Sequence, residues 1–311
     1  MSESINTSSF SSICLQSSQT GFCSTFLHVL GMIDFCVKHD CSFRLPEDKE
    51  QWFSHYKRTH QSDCSLYDAV FSPESFSRLN YQNTKPYDAN FVIPPSIDPI
   101  FNLTMLTSEN GFITEGWRNA LHLCLKYVTL SSGVLDMIKN DSDTYAKTEP
   151  TVGVHIRGTD IENHGSLGSL DSRLSILDQQ TQDIGRIFLA TDEQSILDAC
   201  KQRFGSKLVY LDSCVRSDSK APIHEGWRHG KQFDCINNLT SLIREISILA
   251  YGTDHLFLSR SSVGILALVF NPRIEYTPLD KIESNHDVFH YRNRLTYDLN
   301  YSANQTTLNF R

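Results

Sequence analysis

Arg157 stands at the end of a predicted strand, where its positive charge could bind an anionic ligand. Val152, Val154 and Ile156 share one face of that strand, which ends at Gly158. A guanidinium at the carboxyl end of a parallel strand can hold a phosphate through two parallel hydrogen bonds. This segment alone also permits an ion pair between Arg157 and a carboxylate of another domain.

Two further polar segments follow predicted strands. Asp192 either caps the helix after it or presents a carboxylate to the same cleft as Arg157. Ser261 and Ser262 stand between an apolar strand and an apolar helix, so their hydroxyls and the free N–H groups of the helix form an anion site. Ordinary N-capping by either serine is compatible with that function.

Glu245 lies within an otherwise apolar helix, with Ile243, Ile246 and Leu249 around it. A carboxylate here either faces solvent or points inward, and an inward carboxylate needs a partner because an unpaired buried charge is costly. A nucleobase with two N–H donors is one such partner. A single anionic ligand that carries a base could therefore contact all four places.

The second half of the chain alternates strands with helices, which predicts parallel βαβ units whose ligands bind beyond the carboxyl ends of the strands. The predicted strands are 151–157, 187–191, 207–211 and 255–258, and the predicted helices are 193–204, 238–251 and 263–270.

The first half begins with a similar unit. We predict a strand at 13–16, a Gly-containing turn at 21–25, a helix over 26–38 and a second strand at 42–45. Helical spacing returns over 115–128 and 134–138, whereas the polar run 139–143 is typical of a turn. We therefore divide the chain into domains 1–145 and 146–311.

Composition narrows the class of protein. The 311 residues include 28 Lys and Arg against 36 Asp and Glu, a net charge of −8, so the basic surface that duplex nucleic acid needs is missing. The longest apolar stretches, 26–37 and 263–270, are too short to span a bilayer. No signal-peptide pattern opens the sequence, which favours the cytoplasm, or a secretory lumen if the chain has been trimmed. The nine cysteines form no Cys-x-x-Cys pair and are expected to be mostly reduced and buried.

Taken together, these segments resemble the α-1,6-fucosyltransferase and NodZ group, with the related O-fucosyltransferases. The segment 155–160 is similar to the His-x-Arg-x-x-Asp motif of that group. The order and spacing of the similar motifs match those of the group over roughly residues 20–275. The other similar segments are Gly21-Phe22-Cys23-Ser24 with Leu27-His28, Trp117-Arg118, Ala190-Thr191-Asp192-Glu193, and 245–262 with its Ser259-Arg260-Ser261-Ser262 end.

The resemblance implies an α/β protein of GT-B fold, with two Rossmann-like domains facing across a cleft. The first domain would meet the acceptor, and the second would bind a nucleotide sugar, expected to be GDP-fucose. Transfer to a glycan or protein hydroxyl would invert the anomeric carbon and need no metal or other cofactor. The only Asp-x-Asp, residues 141–143, lies in the predicted linker and is not expected to bind metal.

The resemblance also implies roles for individual residues. Arg157 would bind the β-phosphate of the donor and stabilise charge on the leaving GDP. Glu245, where the group usually has Asp, would accept from guanine N1 and N2. The remaining donor-binding residues would be His155 through its backbone, Asp160, Asp192, Ser261, Ser262, and Gly21 and Phe22 through main-chain N–H groups.

The general base is less well defined. Glu162 is the first candidate, and Asp160 and His164 are the alternatives in the same predicted loop. The segment 218–234 either lines the site or is a surface loop.

Two other functions are alternatives to a fucosyltransferase. One is a GDP-sugar-binding protein of the same fold that has lost catalysis. The other, a Rossmann-type oxidoreductase, is disfavoured because no Gly-x-Gly-x-x-Gly follows a predicted strand. The sequence leaves the acceptor and the oligomeric state open.

Overall fold

The architecture is α/β, with a five-stranded parallel sheet in the second half of the chain. A computed structural model provides the coordinates. It describes residues 12–14, 21–39, 42–45, 49–53, 65–77, 79, 113–145, 149–158, 169–218, 235–280, 297–299 and 308–310.

The five strands of this sheet are β3 Thr151–Ile156, β4 Arg186–Thr191, β5 Leu208–Val209, β6 His255–Leu258 and β7 Glu275–Pro278. They run parallel in the order β5-β4-β3-β6-β7. All six residues of β3 are buried, as expected for a central strand covered on both faces. Four of the strands were predicted, with the one at 207–211 reduced to two residues, and β7 was not.

Helices cover both faces of this sheet because alternate strand residues point to opposite sides. Val154 and Leu189 face a core shared with two helices, whereas Phe188 and Leu258 face a core shared with two others. The first pair is α5 (Leu170–Gln180) and α6 (Gln194–Phe204), and the second pair is α7 (Cys235–Tyr251) and α8 (Ser262–Phe270).

The strand order reverses between β3 and β6. From β3 the chain moves outward through β4 to β5, and it then returns to the other side of β3 to form β6 and β7. In an open parallel sheet, ligands bind at such a switch point, outside the carboxyl ends of the strands. The segments after β3 and β6 are therefore expected to form the ligand-binding site.

The first half begins with the predicted strand–helix–strand unit. Strands β1 (Ser12–Cys14) and β2 (Ser42–Arg44) pair in parallel and are joined through α1 (Phe22–His39). The predicted separate turn at 21–25 is wrong, since the Gly21 carbonyl accepts the Thr25 backbone N–H at 3.1 Å and its hydroxyl at 3.3 Å. These residues form the first turn of α1.

The later helices of the first half pack on the second half. Arg118 of α3 (Glu115–Cys124) donates to the carbonyl of Ile274 at 2.9 Å. After α3 the chain forms a short 3-10 turn at Leu125–Tyr127, so the predicted helix over 115–128 is divided there. The short helix α2 (Leu66–Val70) precedes these elements.

The predicted turn at 139–143 is also wrong, because α4 (Ser132–Thr144) continues through it. Two hydrogen bonds, from Arg244 Nε at 2.6 Å and Nη2 at 2.7 Å, hold the carboxylate of Asp141. The Thr144 hydroxyl donates to the Asn140 carbonyl at 2.8 Å, which satisfies one of the last carbonyls of the helix. The division at residue 145 stays a prediction.

Three remaining features complete the description. A short antiparallel pair is formed by β8 (Tyr297–Leu299) and β9 (Leu308–Phe310). Within the described part of the chain, no helix has the length and apolarity needed to cross a membrane. The predicted burial of the cysteines is confirmed for Cys23, Cys36, Cys124, Cys200 and Cys235, whereas Cys214 is half-buried.

Candidate functional site

Arg157 and Ser259 meet at the switch point of the sheet. The backbone N–H of Arg157, just after β3, donates to Oγ of Ser259, just after β6, at 2.7 Å. Ser259 in turn donates its own N–H to the carbonyl of His155 at 2.8 Å and is fully buried. These two hydrogen bonds fix the start of the Arg157 loop over the crevice, so the predicted position of Arg157 at a parallel strand end is confirmed.

Asp192 holds the next residue of the same loop. Its Oδ1 accepts the Gly158 backbone N–H at 2.8 Å. The capping prediction for Asp192 is wrong, since Glu193 is the N-cap residue of α6. Gly158 also allows close packing here, because a Cβ at this position would lie 2.6 Å from both Glu193 Cβ and Ile196 Cδ1.

A buried ion pair lies beneath these loops. Arg173 Nε, on α5, donates to Oδ1 of Asp280 at 2.7 Å, and the two side chains are 4% and 2% exposed. The other Asp280 oxygen accepts the Arg260 backbone N–H at 2.8 Å, and Arg173 Nη1 donates to the Arg157 carbonyl at 3.4 Å. One ion pair therefore braces the loop after β3 and the loop after β6 together.

His155 is a neutral, buried side chain. Its Nδ1 lies 3.1 Å from the Ala190 carbonyl and must carry the proton in that hydrogen bond, which leaves Nε2 as an acceptor. Nε2 is buried and has no hydrogen-bond partner among the described residues. Burial lowers the pKa of His155 to about 4, although Asp192 opposes that shift. The His155 carbonyl accepts the Ser259 N–H, and the predicted contact of its backbone with a base stays a prediction.

The two predicted serines mark the beginning of α8. Ser261 caps this helix, with its Oγ accepting the Gly264 backbone N–H at 3.1 Å, and Ser262 is its first residue. The capping function is confirmed. Because the first N–H groups of a helix lack internal partners, they also attract anions, and contact with a ligand stays a prediction.

Glu245 points inward from α7. It is 6% exposed, and its Oε1 lies 3.7 Å from Nη2 of Arg216, a residue after β5. Oε1 has no hydrogen-bond partner within the described part of the chain. Burial raises the pKa of Glu245 to about 7, against the opposing effects of the Cys214 thiol and Arg216. The surface-facing alternative is wrong, and the inward carboxylate faces the guanidinium of Arg216.

The beginning of α1 lies near Arg157 and Glu245. The pKa of Cys23 is raised to about 12, mainly by burial and next by the Glu245 carboxylate, while the charge of Arg157 opposes that shift. Cys23 therefore lies close enough to both Glu245 and Arg157 for their charges to act on its thiol. Phe22 is buried and stacks on Phe26, with ring centroids 5.7 Å apart, so the first turn of α1 is firmly held at this place.

The structure brings together eight of the predicted site residues, and three others lie outside the residues that it describes. Glu162, Asp160 and His164 lie outside the described residues, as does 219–234. Asp141 is ion-paired with Arg244, and no group of three potential metal ligands occurs in the described ranges. The residues brought to this edge are Gly21, Phe22, His155, Arg157, Asp192, Glu245 and the pair Ser261 and Ser262.

Sequence reasoning missed several residues of this edge. Ser259 stands in the serine-rich segment and could have been found there, since it directly follows β6. Arg173, Asp280 and Arg216 give no local signal, because their partners are distant in sequence.

The strand order is that of doubly wound α/β sheets, and the predicted site residues lie at the carboxyl edge where such sheets bind ligands. No family profile and no curated protein matches the chain. Solved structures do match: a fucosyltransferase NodZ from Bradyrhizobium has a TM-score of 0.51 and 15% identity, over 85% of this chain and 94% of that one.

Two liganded NodZ structures agree with that match. NodZ α-1,6-fucosyltransferase co-crystallised with GDP has a TM-score of 0.52 at 15% identity, over 86% of this chain and 94% of that one. The same enzyme soaked with GDP-fucose has a TM-score of 0.50 at 16% identity, over 85% and 93%. The chain has the GT-B fold of NodZ, and the predicted fold class is confirmed.

Proposed function

We propose that this protein is an inverting, metal-independent fucosyltransferase, which moves fucose from GDP-fucose to a hydroxyl group of a glycan or protein acceptor. The observation that carries this proposal is the position of Arg157 at the switch point of the parallel sheet, in a chain that has the fold of NodZ. NodZ itself has been co-crystallised with GDP and soaked with GDP-fucose.

The charges of the site suit a nucleoside diphosphate. The base would lie toward Glu245, whose buried Oε1 lacks a hydrogen-bond partner among the described residues and can accept N–H groups of guanine. The diphosphate would lie between Arg157 and the first turns of α8 and α1, where helix N–H groups favour negative charge. The base would thus meet the acceptor atoms of Glu245, and the diphosphate would meet the donors of Arg157 and the two helices.

The chemical step transfers charge toward Arg157. The acceptor oxygen forms a bond to C1 of fucose on the face opposite GDP, while the bond from C1 to the β-phosphate oxygen breaks. The bonding electrons leave on that phosphate, and the hydroxyl proton passes to a base, for which Glu162 is our candidate. Arg157 would stabilise the growing phosphate charge through its planar fork of donors.

Rigid positioning is what makes such a cation effective. Ser259 and Asp192 hold the two backbone N–H groups that follow β3, at 2.7 Å and 2.8 Å. The Arg173–Asp280 ion pair supports the same loop from below. Because these groups are fixed before substrate binds, little reorganisation is needed during reaction.

Metal independence is part of the proposal, and the commitment of Asp141 to Arg244 supports it. We expect transfer to continue at an unchanged rate in excess EDTA. A rate abolished by EDTA and restored by Mg²⁺ or Mn²⁺ would contradict this part alone.

The test of the function is GDP-fucose turnover by the whole chain, followed as GDP release with and without a panel of glycan acceptors. We expect Arg157→Ala to lower turnover by about 10²- to 10³-fold. Arg157→Lys should also be impaired, because a point charge cannot reproduce the fork. As a matched control, Arg203→Ala removes an arginine whose ion pair with Asp178 is partly exposed on α6, and it should leave turnover unchanged.

Two outcomes would contradict the proposal in different ways. Binding of GDP-fucose without any turnover would indicate the non-catalytic binding protein. Failure of GDP to bind at all, tested by its effect on thermal unfolding, would remove the nucleotide site.

A further inference from the structure

Arg216 is a buried arginine that the proposed chemistry does not use. It follows β5, and its side chain is 5% exposed. Nη1 donates to the Cys214 carbonyl at 3.2 Å and Nη2 to the Leu211 carbonyl at 3.0 Å. The guanidinium also lies over the Tyr210 ring, 5.4 Å from its centroid. Its own loop therefore fixes it in one orientation.

The loop that carries Arg216 is tied to the edge that holds Arg157. The backbone N–H of Ser217 donates to the Asp192 carbonyl at 2.8 Å, and the Ser217 carbonyl accepts the Gln194 N–H at 2.9 Å. Asp192 also accepts from Gly158. Ser217 and Gly158, the residues that follow Arg216 and Arg157, are thus both anchored to Asp192, directly after β4.

The ion pair between Arg216 and Glu245 leaves donors and acceptors unused. Nη2 and Oε1 are 3.7 Å apart, which is a charge contact and not a hydrogen bond. Glu245 Oε1 and Arg216 Nε are both buried and lack hydrogen-bond partners in the part of the chain that is described. A buried pair that existed only for stability would be expected to close that distance, because each unsatisfied charged group is costly.

We propose that Arg216 is the positioning residue of the donor-base site: its fixed guanidinium holds the Glu245 side chain, as a carboxylate, where a guanine edge with two adjacent N–H donors would meet it. This inference rests on the proposed function, because it needs the base to lie toward Glu245. Arg216 acts through Glu245 and need not contact the nucleotide itself.

Other groups around Glu245 also affect its protonation. The Cys214 thiol donates a hydrogen bond to the carboxylate, and Asp192 adds a negative charge from the end of β4. Arg244, on the same helix, is held by Asp141. From α1, Cys23 faces the carboxylate as a neutral thiol. Arg216 is thus the cation paired directly with Glu245, and without it the carboxylate would be protonated at a higher pH.

The experiment compares GDP with inosine diphosphate, which lacks the 2-amino group of guanine. Both nucleotides carry the same diphosphate, so the ratio of their dissociation constants isolates the base contact. We measure this ratio by calorimetry on the whole chain, from about pH 6 to pH 8. At about pH 8 we expect the wild type to prefer GDP over inosine diphosphate by about 10- to 100-fold, which is the effect of one hydrogen bond to a charged acceptor.

The wild-type ratio should fall as the pH drops through about 7, because protonated Glu245 loses an acceptor. In Arg216→Gln the fall should begin at a higher pH, and the ratio at pH 8 should be smaller. Arg216→Lys keeps the charge but not the fork, so its midpoint should stay near that of the wild type while its ratio decreases. Glu245→Gln should show a small ratio that does not change with pH.

Arg203→Gln is the matched control, since it removes a partly exposed arginine of α6, and it should reproduce the wild-type curve. A wild-type ratio and midpoint in Arg216→Gln would overturn the inference. Should that variant not fold, Arg216→Lys decides, and an unchanged ratio there would overturn it equally. If the wild type binds no GDP, the proposed function itself fails, and the two failures are thereby distinguished.

Discussion

Arg173 and Asp280 form an ion pair, 2.7 Å between Nε and Oδ1, that contacts the backbone of both loops at the switch point. The two residues come from α5 and from the segment after β7, and neither side chain is more than 4% exposed. The loops that carry Arg157 and Arg260 are consequently held by a group that lies behind the crevice.

Arg173→Met should destabilise the protein by about 3–5 kcal/mol, because it leaves the buried Asp280 carboxylate without its cation. Urea unfolding followed by circular dichroism measures this loss. Arg203→Met, which breaks a partly exposed ion pair, is the control and should change stability little. Equal stability of the two variants would show that the buried pair supports nothing.

Ser259→Ala tests the hydrogen bond that crosses the switch point. The change removes the acceptor of the Arg157 backbone N–H and should cost about 1–3 kcal/mol of stability, since that N–H is left without a partner. If the loop position matters for transfer, kcat should fall more than GDP affinity. A variant with reduced stability but normal kcat would limit Ser259 to a structural role.

Gly158→Ala tests the close packing behind the Arg157 loop. An added Cβ would lie 2.6 Å from Ile196 Cδ1 and Glu193 Cβ, so overpacking should cost about 1–3 kcal/mol and displace the loop. Gly133→Ala is the matched control on α4, where a Cβ meets nothing within 4 Å. That control should be stabilising by up to about 1 kcal/mol.

The stability of the protein should fall as acid protonates His155. Burial depresses its pKa from the ordinary 6.5 to about 4, so this group contributes stability that is present above pH 6.5 and lost as the pH falls to 4. The loss amounts to about 3 kcal/mol. His155→Asn removes the titration, and the gap between wild type and variant should shrink over that range in urea unfolding.

Glu245→Gln provides a check of opposite sign. The folded-state pKa of Glu245 is raised from 4.5 to about 7, so its contribution is present below pH 4.5 and is lost as the pH rises through 7. Relative to the wild type, the variant should therefore gain stability with increasing pH. Parallel pH curves for the two variants would contradict both assignments.

The sequence was most informative where local pattern decides structure. Four strands of the large sheet lie in short apolar runs, and Arg157 follows one of them, so its position was predictable. Ser261 caps α8 as its residue type and place indicate. Because parallel strands end at the same edge of a sheet, the alternation of strands and helices also predicts that Arg157, Asp192 and Ser261 lie near one another.

Contacts between distant segments caused the errors. The polar run at 139–143 is helical because Arg244, 103 residues after Asp141, holds the carboxylate at its centre. Asp192 holds the Gly158 N–H across two neighbouring strands and does not cap the next helix. Arg173 and Asp280 are 107 residues apart, and no local periodicity marks either of them. Local propensity yields to such tertiary contacts.

Three cysteine thiols can report which part of the protein unfolds first. Burial raises the pKa of Cys23, Cys200 and Cys214, so their thiols are protected from alkylating reagents at neutral pH while the fold is closed. They lie on α1, on α6 and beside Glu245, in three different parts of the architecture. The order in which iodoacetamide labels them, read peptide by peptide, would therefore record which part of the molecule opens first.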